Sequence, residues 1–165
     1  MVALASGTLA PEFTLTTTGG SAFSLSEALQ RGPVVLAFFK ISCPVCQYAL
    51  PFLERIHRAL HGRNATIVGI SQNTKKDTEM FMREYGITMP VALDDTRTYP
   101  VSNAYGLTNV PTTFYIEPGG EIRLSSVGWS RADVEQVNRD LAEAANTPAN
   151  PVFRPGEEVA EWRAG

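Results

Sequence analysis

Residues 13–25, FTLTTTGGSAFSL, alternate apolar and polar positions on either side of Gly19-Gly20, the pattern of a β-hairpin. Ser24 and Glu27 then stand at capping-box spacing, which predicts a short helix ending near Gly32. After Pro33, VVLAFFK is continuously apolar and rich in β-branched and aromatic residues, as expected of a strand buried on both faces. VCQYALPFLERIHRAL changes to helical period. Val45, Ala49, Phe52, Leu53, Ile56 and Leu60 share one face, with a kink expected at Pro51 and a stop at Gly62. ATIVGIS reads as a second buried strand, and TKKDTEMFMREYG as a helix between a Thr74/Asp77 cap and Gly86. PVALDD is a short strand or extended link, SNAYG a short helix, and VPTTFYIEPGGEIRLSSVG two strands around a Pro-Gly-Gly turn. Ser130 and Asp133 cap a last helix running to about Ala145. The order β-β-α-β-α-β-α-β-α-β-β-α predicts an α/β protein whose mainly parallel sheet ends in an antiparallel hairpin.

From Asn146 the pattern stops. NTPANPVFRPGEEVAEWRAG has three prolines and no periodicity. The expected organisation is one domain over residues 1–145 and a tail over 146–165, laid on the surface or disordered, with Phe153 and Trp162 as candidate anchors. The 165 residues suffice for one domain with a core, and 44% hydrophobic with 19% charged residues is an ordinary globular balance. Fourteen basic and 17 acidic residues are mixed along the chain, so no basic stripe points to nucleic acid. No run reaches the roughly 18 apolar residues of a membrane span. MVALASGTLAPEF lacks the basic start and unbroken apolar run of a signal peptide. The chain as given therefore reads as cytoplasmic, or as periplasmic if an export signal was trimmed.

Both cysteines fall in KISCPVCQ, as Cys43 and Cys46. With His57 and His61 they spell C-x2-C-x10-H-x3-H, close to a zinc finger. But residues 44–60 read as one helix, and at ~1.5 Å per residue His57 lies about 16 Å beyond Cys46. Zinc ligands must all sit ~2 Å from one ion. Haem attachment needs a histidine where Gln47 stands. A bridge across two residues restrains the unfolded chain very little, which argues against a structural staple. A redox pair has a mechanism. The Val34–Lys40 strand feeds a loop and then a helix, which places Cys43 at the helix N-terminus, where unpaired N–H groups and the helix dipole favour a thiolate. Pro44 suits the first helical turn. Cys46 follows one turn later, more buried, as the resolving thiol.

This motif in this setting resembles the thioredoxin fold, and in particular the peroxiredoxin-related redoxins alongside the TlpA/ResA-type thiol–disulfide oxidoreductases. APEFTLTTTGGSAFSLSE is similar to the N-terminal hairpin of that branch, VVLAFFKISCPVC to its active-site strand and loop, and YGITMPVALDD to its inserted αβ segment. VPTTFYIEPGGEI resembles its cis-proline strand and final hairpin. The resemblance implies a central mixed sheet flanked by helices and no cofactor or metal. It also implies a cis bond at Pro111 that leaves the Val110 backbone free to pair with an extended thiol substrate. The implied partners are protein or low-molecular-weight thiols and disulfides and an upstream redox partner.

The chain also departs from that family. The carboxylate positions six residues before the first cysteine and three after the second are Ala37 and Ala49. Lys40, one of three lysines, directly follows the buried strand, where a cation would stabilise the Cys43 thiolate; its ordinary alternative is to snorkel into water. In the peroxidase motif P-x-x-x-T-x-x-C, aligned on Cys46, the Pro position is Phe39 and the Thr position is Cys43. The expected activity is therefore thiol–disulfide exchange through Cys43 and Cys46, with peroxide reduction through Cys46 as the alternative. Pro44-Val45 matches neither the Gly-Pro of ordinary thioredoxins nor the Pro-His of strong oxidants, which leaves the direction of electron flow open.

Overall fold

The computed structural model describes residues 2–165. The expected hairpin forms as β1 (Thr14–Thr16) and β2 (Ala22–Ser24), followed by α1 (Leu25–Leu29). The chain continues through β3 (Val34–Phe39), α2 (Pro44–Leu60), β4 (Thr66–Ser71), α3 (Lys75–Tyr85), β5 (Val91–Leu93) and α4 (Pro100–Ala104). It closes with β6 (Thr112–Ile116), β7 (Ile122–Val127), β8 (Trp129–Ser130), α5 (Arg131–Ala144) and β9 (Trp162–Arg163). Side chains of Ser24, Thr74 and Ser130 each accept the N–H three residues on, which satisfies a donor that helix geometry would leave orphaned. Leu60 is the last residue of α2, and His61 takes the left-handed conformation one residue before the expected stop at Gly62. Pro51 lies inside α2 without ending it.

The main sheet has the order β5-β4-β3-β6-β7. β3 runs parallel to β4, and β4 to β5, whereas β6 is antiparallel to both β3 and β7. The sheet is thus evenly mixed, not mainly parallel as the order of elements suggested. β3 is central, and its residues are fully buried because they alternate between two cores. Val35, Ala37 and Phe39 pack with the apolar face of α2 and with Val137 and Leu141 of α5. Val34, Leu36 and Phe38 pack with α1, Val101, Tyr105 and the hairpin residues Phe13 and Phe23. A strand with an apolar residue at every position is what such a two-sided layer requires. No helix among the described residues is long and apolar enough to cross a membrane.

The chain beyond α5 is ordered and packed against α2. Val152 is buried in the same core as α2, and Phe153 sets its ring 5.2 Å from that of Phe52. Arg55 donates to the Val152 carbonyl and clasps Glu157 with both terminal nitrogens at 2.8 and 2.9 Å. The Ala160 backbone is held at both ends: its carbonyl accepts from Trp129 Nε1 at 2.7 Å, and its N–H donates to Tyr48 Oη at 3.0 Å. The boundary expected at residue 145 is therefore no break in packing. Phe153 is an anchor. Trp162 is not, since its side chain is 64% exposed and only its backbone pairs, with Ser130.

Candidate active site

The site forms where β3 gives way to α2. Cys43 is the N-cap of α2, with φ −86° and ψ 116°, and Pro44 fills the first helical position. The Cys46 N–H donates to Cys43 Sγ at 3.1 Å, so the sulfur occupies the place of a capping oxygen. An acceptor there faces the positive end of a 17-residue helix. Cys43 is half-buried and unbonded to Cys46, which is fully buried one turn behind it. The loop before the cysteines is pinned from two sides: the Ile41 N–H donates to Asn73 Oδ1, and Gln47 Nε2 donates to the Ile41 carbonyl, both at 2.9 Å.

Across from Cys43 lies the turn into β6. The Val110–Pro111 peptide bond is cis and Pro111 is buried. Cys43 Sγ–H donates to the Val110 carbonyl at 3.4 Å. That carbonyl is not free, in contrast to the expectation, because the end of the chain also lies against it. A side chain on Gly165 would come within 2.5 Å of Val110 O, and Asn109 Nδ2 donates to the Gly165 carbonyl at 3.2 Å. A cleft of about 450 Å3 opens beside Cys43, lined by Lys40, Pro44, Gln72, Asn109, Val110 and Gly165 among others.

The two thiols are electrostatically unequal. Burial pushes the Cys46 thiol far up, and its hydrogen bond and charge interaction with Cys43 push it further. The backbone and the charge of Lys40 act in the opposite direction on the same thiol. Lys40 lines the cleft beside Cys43 with its side chain exposed at the strand end, and its charge also reaches the buried Cys46. Ala37 and Ala49 are buried in the core that includes Cys46, so neither family carboxylate position supplies a base. His57 and His61 sit in the last turn and at the C-cap of α2, at the opposite end of the helix from the cysteines. Among the described residues no three His, Cys, Asp or Glu side chains gather into a metal site.

Asn73 and Gln47 are positioning residues that the sequence did not reveal. In the sequence Gln47 only excludes haem, and Asn73 lies 32 residues from the loop it holds, with no local pattern to mark it.

A helix-capping dithiol facing a cis-proline on a five-stranded mixed sheet defines a thioredoxin-fold dithiol protein. The chain belongs to the AhpC/TSA family, which it matches over residues 6–125. It is 30% identical over 136 residues to the thiol-disulfide oxidoreductase ResA of Geobacillus kaustophilus, covering 81% of this chain and 76% of that protein. With ResA of Bacillus subtilis it shares 32% identity over 120 residues, 72% of this chain and 65% of that protein. The crystal structure of a thiol:disulfide interchange protein of the thioredoxin family from Chlorobium tepidum superposes with a TM-score of 0.69 at 29% identity, over 84% of this chain and 99% of that one. Within its family the chain is a ResA-like redoxin.

Proposed function

We propose that the Cys43-Cys46 pair cycles between dithiol and disulfide by exchange with protein or small-molecule thiols and disulfides. The protein is a thiol–disulfide oxidoreductase. The observation that carries the assignment of roles is the inequality of the sulfurs: Cys43 is accessible in a cleft at a helix N-terminus, and Cys46 is buried behind it. In the reducing direction the Cys43 thiolate attacks one sulfur of a substrate disulfide. A mixed disulfide forms and the first substrate thiolate leaves. Cys46 then loses its proton and attacks Cys43 Sγ, which forms the Cys43–Cys46 disulfide and expels the second substrate thiolate. Two protons taken up by the products balance two lost by the protein, and two electrons pass from the pair to the substrate. The oxidising direction is the reverse. An upstream redox partner returns the pair to its starting state by the same exchange.

The first step eases the second. Once Cys43 is tied to substrate, its thiolate no longer opposes ionisation of Cys46. Lys40 remains to draw the Cys46 thiol down. Lys40→Met is therefore expected to lengthen the lifetime of the mixed disulfide by up to about fivefold, the equivalent of the ~1 kcal/mol that an exposed charge delivers, and to move the pH profile of resolution upward. Rapid-quench capture of the mixed disulfide across pH checks this. An unchanged lifetime would make Lys40 a bystander, and a change in Cys43 reactivity alone would place its influence on the first sulfur.

Exchange is tested by mixing the reduced protein with an insulin-type disulfide and, separately, with hydrogen peroxide. Rapid loss of disulfide with slow peroxide consumption is the expected result. Cys46, the peroxide-attacking position by alignment, is fully buried, and Phe39 and Cys43 stand where the peroxidase motif needs proline and threonine. Rapid peroxide turnover with inert disulfide chemistry would overturn the assignment.

A further inference from the structure

The path of residues 161–165 has a bearing on which disulfides reach Cys43. β9 adds to β8 as an antiparallel strand, with Trp129 opposite Arg163 and Ser130 opposite Trp162. The Arg131 N–H donates to the Glu161 carbonyl at 2.9 Å. The chain then crosses Gly128, whose backbone has φ +80° and whose missing side chain leaves room for it: a Cβ there would fall 2.5 Å from the Arg163 carbonyl and 3.0 Å from Gly165 N. It ends on the Val110 carbonyl and the Asn109 amide at one wall of the cleft. This is extended backbone lying beside the residue that precedes the cis-proline, the place where an extended polypeptide would pair with the active site.

Anchorage along the tail is uneven. Up to Ala160 it is held by the Phe153 stack, the Arg55–Glu157 clasp and the two bonds to the Ala160 backbone. Residues 161–165 are all exposed. Beyond their backbone bonds they are held by an exposed Arg131–Glu161 ion pair at 3.6 Å, by Arg163, whose guanidinium lies 4.2 Å above the Tyr48 ring, and by Asn109. Such a segment can lift from its seat while the rest of the tail stays down.

Resting on the exchange reading above, we propose that residues 161–165 are a displaceable strap that occupies the backbone seat of a polypeptide substrate. A small disulfide enters the open cleft and meets Cys43 with the strap in place. A polypeptide disulfide reacts only from the fraction of molecules in which the strap has lifted, so its apparent rate is reduced by that fraction. The strap therefore selects between substrate sizes without touching the chemistry of the cysteines.

The test compares the full chain with one ending at Glu161, which keeps the Phe153, Glu157 and Ala160 contacts. Each is reduced and mixed with insulin and, separately, with hydroxyethyl disulfide, and the second-order rate constants are measured. Loss of residues 162–165 is expected to raise the insulin rate by about fivefold or more relative to the hydroxyethyl disulfide rate. Arg163→Ala in the full chain should move the insulin rate in the same direction by less, and it serves as the readout if the shortened chain folds poorly. An unchanged ratio of the two rates in both variants overturns the strap while leaving exchange intact. A full chain that exchanges with neither substrate overturns the strap and the exchange reading together.

Discussion

Cys43→Ser is expected to reduce disulfide exchange to background while leaving the fold as stable as the wild type to within about 0.5 kcal/mol. Thiol exchange needs a thiolate, and a serine hydroxyl offers none near neutral pH. The stability half of the expectation follows from the helix. Cys43 Sγ accepts the Cys46 N–H as an N-cap, and serine is among the best residues in that role. Cys43→Ala should be equally inactive but also lose about 1 kcal/mol, since the N–H is left without its partner. Cys46→Ser separates the two steps: Cys43 still attacks, nothing resolves the adduct, and the mixed disulfide accumulates. Non-reducing gels and intact mass identify the adduct. Normal turnover by Cys46→Ser, with adduct accumulating instead in Cys43→Ser, would exchange the two roles.

The largest expected effect on stability lies away from the cysteines, at Glu54 of α2. This carboxylate is buried and accepts from Thr88 N, Met89 N and Arg58 Nε at 2.8, 2.9 and 2.8 Å, and from Thr88 Oγ1 as well. It pins the segment between α3 and β5 to the active-site helix. Glu54→Ala strands two backbone donors, and Met89 is fully buried. The expected loss is about 3 kcal/mol, or roughly 6–12 °C in Tm for a chain of this size. Glu54→Gln keeps an acceptor and should lose less. Burial by itself would raise the Glu54 pKa. The bonds from Thr88, Arg58 and Met89 outweigh it and hold the group below the ordinary carboxylate value. A depressed carboxylate stabilises the fold above its unfolded pKa and ceases to do so as pH falls through its folded value. The stability gap between wild type and Glu54→Gln should therefore be constant near neutrality and close progressively below about pH 4.3. Chemical denaturation at several pH values reads both effects. A Glu54→Ala variant within about 1 kcal/mol of wild type would show that water replaces the carboxylate.

What could be read from the chain was local. The alternation around Gly19-Gly20 is a hairpin, the unbroken VVLAFF run is a strand buried on both faces, and Ser24, Thr74 and Ser130 cap helices through bonds spanning three residues. The cysteine pair and Pro111 carried their setting with them: a strand before, a helix after, and a second strand opposite. What could not be read was long-range. The order of strands along the chain does not say that β6 inserts beside β3 in the antiparallel sense. Glu54 carries no sign in its neighbours that Thr88 and Met89, more than 30 residues away, will surround it. The tail's contacts are long-range in the same way. Its partners Tyr48 and Arg55 lie about a hundred residues back, and a two-residue strand such as β9 is too short for any period.

One atom, Cys43 Sγ, serves both as the reagent and as the keystone of the first turn of α2. Oxygen can take over the second duty and not the first. A single exchange of sulfur for oxygen would thus yield a descendant with the same sheet, cleft and tail but no redox life. Such a descendant would be free to keep the groove beside Val110 for holding polypeptides it never reduces. In this scaffold catalyst and binding module are separated by one substitution that the architecture itself does not resist.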